Sequence, residues 1–238
     1  GRDFLPHARR LHDCGVEAES IFRSCAGGAG GRLTISATGP FARAFVVPHL
    51  PAFLDRYPDV EVALWLTPAR IEVGSGPGQV DIAIRLRSSA SADLSNRKLA
   101  DIGFWTVAAP TYLAAHGAPE RPQDLAKHRL LEIGPPNKAH EVELRRGRDV
   151  VTVRYAPRLQ IDDPEAVCAA AEGGAGIAVV PQFVAARPVA SGALVRVLPE
   201  WAPSPVPVHV LYRTDIAPPA RVRAFVDHLS ATIIDCEI

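Results

Sequence analysis

GRLTISATGP FARAFVVPHL PAFLDRYPDV EVALWL, residues 31–66, reads as strand, turn, helix and strand in succession. Apolar and polar residues alternate along Leu33–Ala37, the period of a strand with two different faces. At Thr38-Gly39-Pro40 the chain turns into a helical segment. Thr38 or Gly39 suits the cap, and Pro40 suits the first helical position, where an amide hydrogen is not needed. Val60–Leu66 is the second strand. Units of this kind build parallel sheets. The turn leaves backbone N–H groups free at the carboxyl end of the sheet, where a small anion is favoured.

Working outward, Phe41, Ala44, Phe45, Pro48 and Ala52 are expected to share the buried face of the helix. Pro48 and Pro51 interrupt it, and Tyr57-Pro58-Asp59 closes it. His49 lies among apolar residues and reads as a packed core histidine rather than a ligand. Thr67-Pro68 follows the second strand and falls on the same rim as Thr38. Ile71–Gly78 is rich in glycine and poorly helical. Val80–Arg85 is a short buried strand ending on a guanidinium at that rim. There Arg85 is either an anion clamp or a surface arginine; Arg87 is the weaker candidate.

Beyond it, Ile102–Ala109 is an apolar strand and Pro110–His116 a helix. Pro122–His128 is a short helix, and Leu130–Ile133 a strand that Gly134-Pro135-Pro136 breaks. Val142–Arg145 and Val150–Arg154 form a hairpin across Arg146–Asp149, and Arg158–Ile161 is a further strand. Asp163 with Pro164 behind it opens an alanine-rich helix as its N-cap, while Asp162 or its backbone is free to face a ligand. Gly173–Gly176 follows that helix and precedes strand Ile177–Val180. A dinucleotide fingerprint needs strand, glycines and helix in that order, so none is read here. Val206–Tyr212 is a strand. After Pro219 the last helix carries Val222, Phe225, Val226 and Leu229 at i, i+3, i+4 and i+7, one apolar face.

The N-terminal 25 residues carry a weak heptad seam, Phe4, Ala8, Leu11, Gly15, Ala18, Phe22 and Cys25. Such a helix needs a partner, either the body of the protein or a second copy. CAGGAGG, residues 25–31, reads as a flexible linker, since it lacks the Lys-Ser/Thr of a phosphate loop.

Composition narrows the function. The 238 residues contain 26 basic and 26 acidic side chains, without the basic excess of a nucleic-acid-binding domain. No apolar run approaches the roughly 18 residues of a membrane span. Cys14, Cys25, Cys168 and Cys236 have neither zinc spacing nor a disulfide pattern and read as free thiols in a reducing compartment. No secretory signal is present in residues 1–24, and the chain contains no methionine. It is therefore expected to be a processed protein or a piece of a longer one. G-x-S-x-G, H-E-x-x-H and clustered metal ligands are all missing, so neither an enzyme nor a cofactor is expected.

Six motifs in order carry a family resemblance: GRLTISA; P-x-L-x-x-F-x-x-R-Y-P-D-V; VDIAIR; KLADIGFWTVAAPTYLAAHGAPERPQDLAKHRLL; EAVCAAAEGGAGIAVVPQFVAARPVASGALVRVLPEW; and VPVHVLYRTDIAPPARVRAFVDHL. Together they resemble the effector-binding domain of LysR-type transcriptional regulators from about Gly1 to Ser230. The opening GRDFLPHARRLHD resembles the linker helix that follows this family's winged helix-turn-helix, which lies outside the sequence.

The resemblance implies an α/β fold of two Rossmann-like subdomains joined by two crossover strands, like a type 2 periplasmic binding protein. Residues 1–31 would be linker helix and linker, 32–104 plus 210–238 subdomain I, and 105–209 subdomain II. A small, anionic effector would lie in the cleft between subdomains, lined by Thr38, Gly39, Pro40, Phe41, Thr67, Pro68, Arg85, Gly134 and Asp162. The partners implied are that small molecule, DNA only through the N-terminal domain, and a second or further copies in a homodimer or homotetramer. The location implied is cytoplasmic, with no membrane contact. Two departures stand out: Ile71–Gln79 replaces a continuous helix, and Leu86-Arg87 replaces a glycine after the arginine. A solute-binding protein of a transporter, with the same fold, is the alternative reading.

Overall fold

The computed structural model describes residues 29–69, 71–74, 76, 78–86, 94–134, 140–214 and 217–233. The linker helix, its heptad seam, Arg87 and the other three cysteines lie outside the described residues. Strands run in chain order as β1 (Gly31–Ala37), β2 (Val60–Leu66), β3 (Ile82–Leu86), β4 (Leu94–Ile102), β5 (Phe104–Ala108) and β6 (Leu130–Ile133). They continue as β7 (His140–Arg146), β8 (Asp149–Tyr155), β9 (Leu159–Ile161), β10 (Ile177–Pro181), β11 (Val195–Arg196) and β12 (Val206–Arg213). The helices are α1 (Gly39–Phe45), α2 (Leu50–Arg56), α3 (Pro110–His116), α4 (Pro164–Glu172), α5 (Gln182–Ala190) and α6 (Ala220–Ile233).

The chain divides into two units at Ala100/Asp101 and again at Val206/Pro207. Both divisions fall in strands, β4 and β12, which therefore link the units. The first crossing lies in β4. That strand, LSNRKLADI, exposes Asn96, Arg97 and Lys98 in a row, so it has no apolar alternation to betray it.

Unit 1 is a five-stranded sheet in the order β2-β1-β3-β12-β4. β1 is parallel to both β2 and β3, while β12 is antiparallel to β3. One face buries Leu33, Ile35, Ile82, Ile84, Val208 and Val210, none more than 1% exposed. These positions alternate along their strands and meet across the registers, as a half-buried pleat requires. On α6, Val222, Phe225, Val226 and Leu229 are all buried, as their spacing predicts. Phe225 meets Phe53 of α2 edge-on, with ring centroids 5.2 Å apart.

The buried face after Thr38 differs from the expected one. Phe41 and Phe45 are buried as expected, but Ala44, Pro48 and Ala52 are exposed, and Ala42, Val46 and Phe53 are buried in their place. The helix breaks after seven residues, and a 3-10 turn at Val47–His49 intervenes before α2. That tighter turn shifts the phase, so a single 3.6 period does not run through the segment. His49 is only half-buried, and its carbonyl receives Nε2 of His228 at 3.1 Å.

On the second face of this sheet, Val80, Ala83 and Leu211 form a small cluster with Ile71 and Val73. The described residues of 71–79 form no helix. A bridge between Val73 and Val80 closes the loop.

Unit 2 is also mixed, with five strands in the order β11-β5-β10-β6-β9 and the hairpin β7–β8 as a separate pair. β10 is parallel to β6 and antiparallel to β5. Its core includes Val107, Leu125, Leu131, Leu144, Val167, Ile177 and Leu194. At Gly147 the hairpin turns with a φ of 58°, a conformation that favours glycine. Among the described residues, no helix is long and apolar enough to cross a membrane.

Candidate functional site

The rim of unit 1 is set by strand register. Ala37 pairs with Leu66, and the Thr67 N–H donates to the Ala37 carbonyl at 2.9 Å. Thr38 and Thr67 therefore follow side by side where β1 and β2 end. On the other flank of β1, Ser36 pairs with Ala83, which places Arg85 two residues further along β3 on the same rim.

Arg85 is spent on the protein. Its Nη1 donates to the carbonyls of Ser36 (3.0 Å) and Ile84 (2.9 Å). Its Nη2 donates to Ser36 Oγ (2.6 Å) and to the Ala69 carbonyl (3.1 Å). These bonds use every hydrogen on the two terminal nitrogens. Burial lowers the Arg85 pKa, yet an arginine starts so high that it stays charged. The guanidinium thus ties the end of β1 to the loop after β2 and brings a fixed positive charge to the rim.

Around it the predicted residues divide. Thr38 occupies the cap position of α1 and is half-buried, but its side chain makes no capping bond. Capping rests on its carbonyl, which receives Ala42 N–H at 2.9 Å. Thr67 Oγ1 accepts from the Ala69 N–H at 3.1 Å, which leaves its own hydrogen available. Gly39 is half-buried and Pro68 exposed. Pro40 and Phe41 are buried, and the Phe41 ring lies 5.1 Å from that of Phe45. Their side chains support the rim from the core.

Unit 2 has its own rim. β6 and β9 run parallel, and past the Ile133–Ile161 pair the Gly134 N–H donates to the Ile161 carbonyl at 3.0 Å. Gly134 has a φ of 148°, which disfavours any residue with a Cβ. Asp162 is exposed beside it. Asp163 caps α4 as its sequence predicts, with Oδ1 accepting the Ala166 N–H at 2.9 Å.

One position back on the same sheet face, Glu132 pairs with Gln160. The hairpin brings His140 opposite Tyr155. The Tyr155 hydroxyl donates to Glu132, and His140 Nδ1 lies 3.8 Å from the same carboxylate. Burial and the Glu132 carboxylate push the Tyr155 phenol up, so it stays a donor. Sequence reading missed this group and missed Ser36. The signal available was alternation: Ser36, Glu132 and Gln160 each stand two residues before a rim position and so share its face.

Among the described residues, no group of three or more His, Cys, Asp or Glu could hold a metal ion. Cys168 is buried, and burial with the nearby Glu172 and Glu165 carboxylates pushes its thiol up to about 11, away from the reactive thiolate.

Comparison with known proteins gives these rims a context. Residues 26–233 match the LysR substrate binding domain family. The probable HTH-type transcriptional regulator LtrA of Klebsiella pneumoniae is 30% identical over 98% of this chain and 76% of its own length. An HTH-type transcriptional repressor of Pseudomonas aeruginosa is 32% identical over 89% of this chain and 67% of its own. Among solved structures, the full-length Vibrio cholerae virulence activator AphB superposes with a TM-score of 0.78 at 27% identity, covering 97% of this chain and 77% of that one. CrgA of Neisseria meningitidis gives 0.74 at 25% identity, covering 98% and 79%. The two mixed units linked by crossing strands are the periplasmic-binding-protein-like type 2 fold of these effector domains. Transcription regulation, rather than transport or catalysis, is the business of such proteins. The chain belongs to the LysR-type transcriptional regulators, as their effector-binding domain.

Proposed function

We propose that the chain senses a small organic anion, held at the rim of unit 1. The observation that carries this reading is the Arg85 charge, fixed by four hydrogen bonds beside the Thr38 and Thr67 hydroxyls. A charge already anchored does not have to be reordered when an acid group arrives. The two hydroxyls supply donors, and the backbone of Gly39 and Phe41 supplies N–H groups at the start of α1. Pro40 and Pro68 shape the edges. The effector acts by binding one arrangement of the protein better than another, since equal affinity would shift nothing. Its readout is DNA binding by a helix-turn-helix beyond this chain, in a cytoplasmic homodimer or homotetramer. The HTH-type regulators to which the chain is similar support the DNA-binding readout.

Calorimetry with acetate, succinate and benzoate tests the anion. At least one is expected to bind, and Thr38→Val is expected to weaken it about tenfold, the worth of a hydrogen bond to a charged group. Failure of all three to bind overturns the reading.

A further inference from the structure

His209 lies on β12 in register with Arg85 of β3, so the two side chains leave the same face of the unit 1 sheet. Its ring nitrogen Nδ1 is buried and has no hydrogen-bond partner. Nor does the ring as a whole form a hydrogen bond with any described residue. A strand in a sheet has little reason to carry a half-buried imidazole that bonds to nothing. An apolar residue would fill the space without the loss of hydration.

A neutral imidazole carries one N–H. On Nδ1 it would be a donor cut off from water with nothing to receive it, a costlier orphan than a bare acceptor, which favours the Nε2–H tautomer. Beside it, Arg85 contributes charge but has no terminal hydrogen left to give. An acid group drawn by that charge needs a directed donor from a neighbour.

Resting on the effector reading above, we propose that His209 is a ligand-contacting residue, its Nε2–H donating to a carboxylate or carbonyl oxygen of the effector beside Arg85. The contact completes a row across four adjacent strands: the hydroxyl donors of Thr67 at the end of β2 and of Thr38, the fixed charge of Arg85, and the imidazole donor of His209. In this row Arg85 is a positioning residue and His209 is the donor that discriminates. An effector of the same charge with no oxygen at that end binds without its help.

The test uses the chain as it stands, with acetate, succinate and benzoate as probes. Nitrogen-15 spectra of the imidazole are expected to show the Nε2–H tautomer, and Nε2 is expected to shift when a probe binds. By calorimetry His209→Phe should weaken that probe about tenfold, while His209→Gln, which keeps an N–H at similar reach, should stay within about threefold of the parent. Circular dichroism checks that each variant is folded, and the spectra of the unmodified protein decide if one is not. A probe that binds with no change at Nε2, or equally well to His209→Phe, overturns the role of His209 and leaves the effector reading standing. An Nδ1–H tautomer overturns it as well. If none of the three binds the parent protein, the effector reading falls and this inference falls with it.

Discussion

The rims of the two units are organised around opposite charges. In unit 1 a half-buried guanidinium is held by carbonyls and one hydroxyl. In unit 2 the Glu132 carboxylate sits among a phenol, an imidazole and an amide. Arg85 is satisfied by the protein, whereas Glu132 accepts a hydrogen bond from Tyr155 and stays partly exposed. The two also differ in what they hold: Arg85 fixes main-chain carbonyls from β1 and from the loop after β2, whereas Glu132 gathers side chains from the hairpin. Removing the first should therefore disturb the fold of a rim, and removing a partner of the second only its polarity.

That contrast can be broken by measurement. Arg85→Ala is expected to have the largest effect, about 2–4 kcal/mol in urea unfolding, because it orphans Ser36 Oγ and several carbonyls together. A loss below about 1 kcal/mol would mean that the guanidinium frames nothing. Tyr155→Phe should cost less, about 1–2 kcal/mol, since it takes one donor from a carboxylate that is still partly hydrated. If it costs more than Arg85→Ala, the contrast is reversed.

A titration away from both rims sharpens the comparison at the small end. Burial lowers the pKa of His128, with His116 and Lys127 adding to the effect and Asp124 opposing it. As pH falls through the ordinary histidine value, the unfolded chain takes up a proton that the folded one refuses, so stability declines. His128→Asn should flatten the fall of Tm between about pH 7.5 and 5.5 by about 1–2 °C, the smallest of the three effects.

Elements with local signals were legible in the sequence. Asp163 before Pro164 marked α4 through capping chemistry, and the spacing of Val222, Phe225, Val226 and Leu229 marked the buried face of α6. Val206–Tyr212 and the hairpin were readable from alternation. The α5 helix was not, since it carries Pro188 inside it and follows directly on Pro181 of β10. Pro48 and Pro51 signal the break at Val47–His49, but residue spacing alone does not give the phase shift that follows it. The rim residues were placed by the end of each strand, a one-dimensional argument. What Arg85 does there was not legible, because Ser36 lies 49 positions and Ala69 16 positions away in the chain. His209 escaped for the same reason: its importance comes from a register between strands more than a hundred residues apart in sequence.

The position of β12 has a consequence for biosynthesis. In unit 1 it lies between β3 and β4, yet it is the last strand to be made. While a ribosome is still synthesising unit 2, β3 has an open edge and the sheet has a vacant slot. Unit 2, whose described residues are contiguous, can finish first. Unit 1 closes only when residues 206–213 arrive, so a chain that stops short of them leaves its first-made half without a keystone.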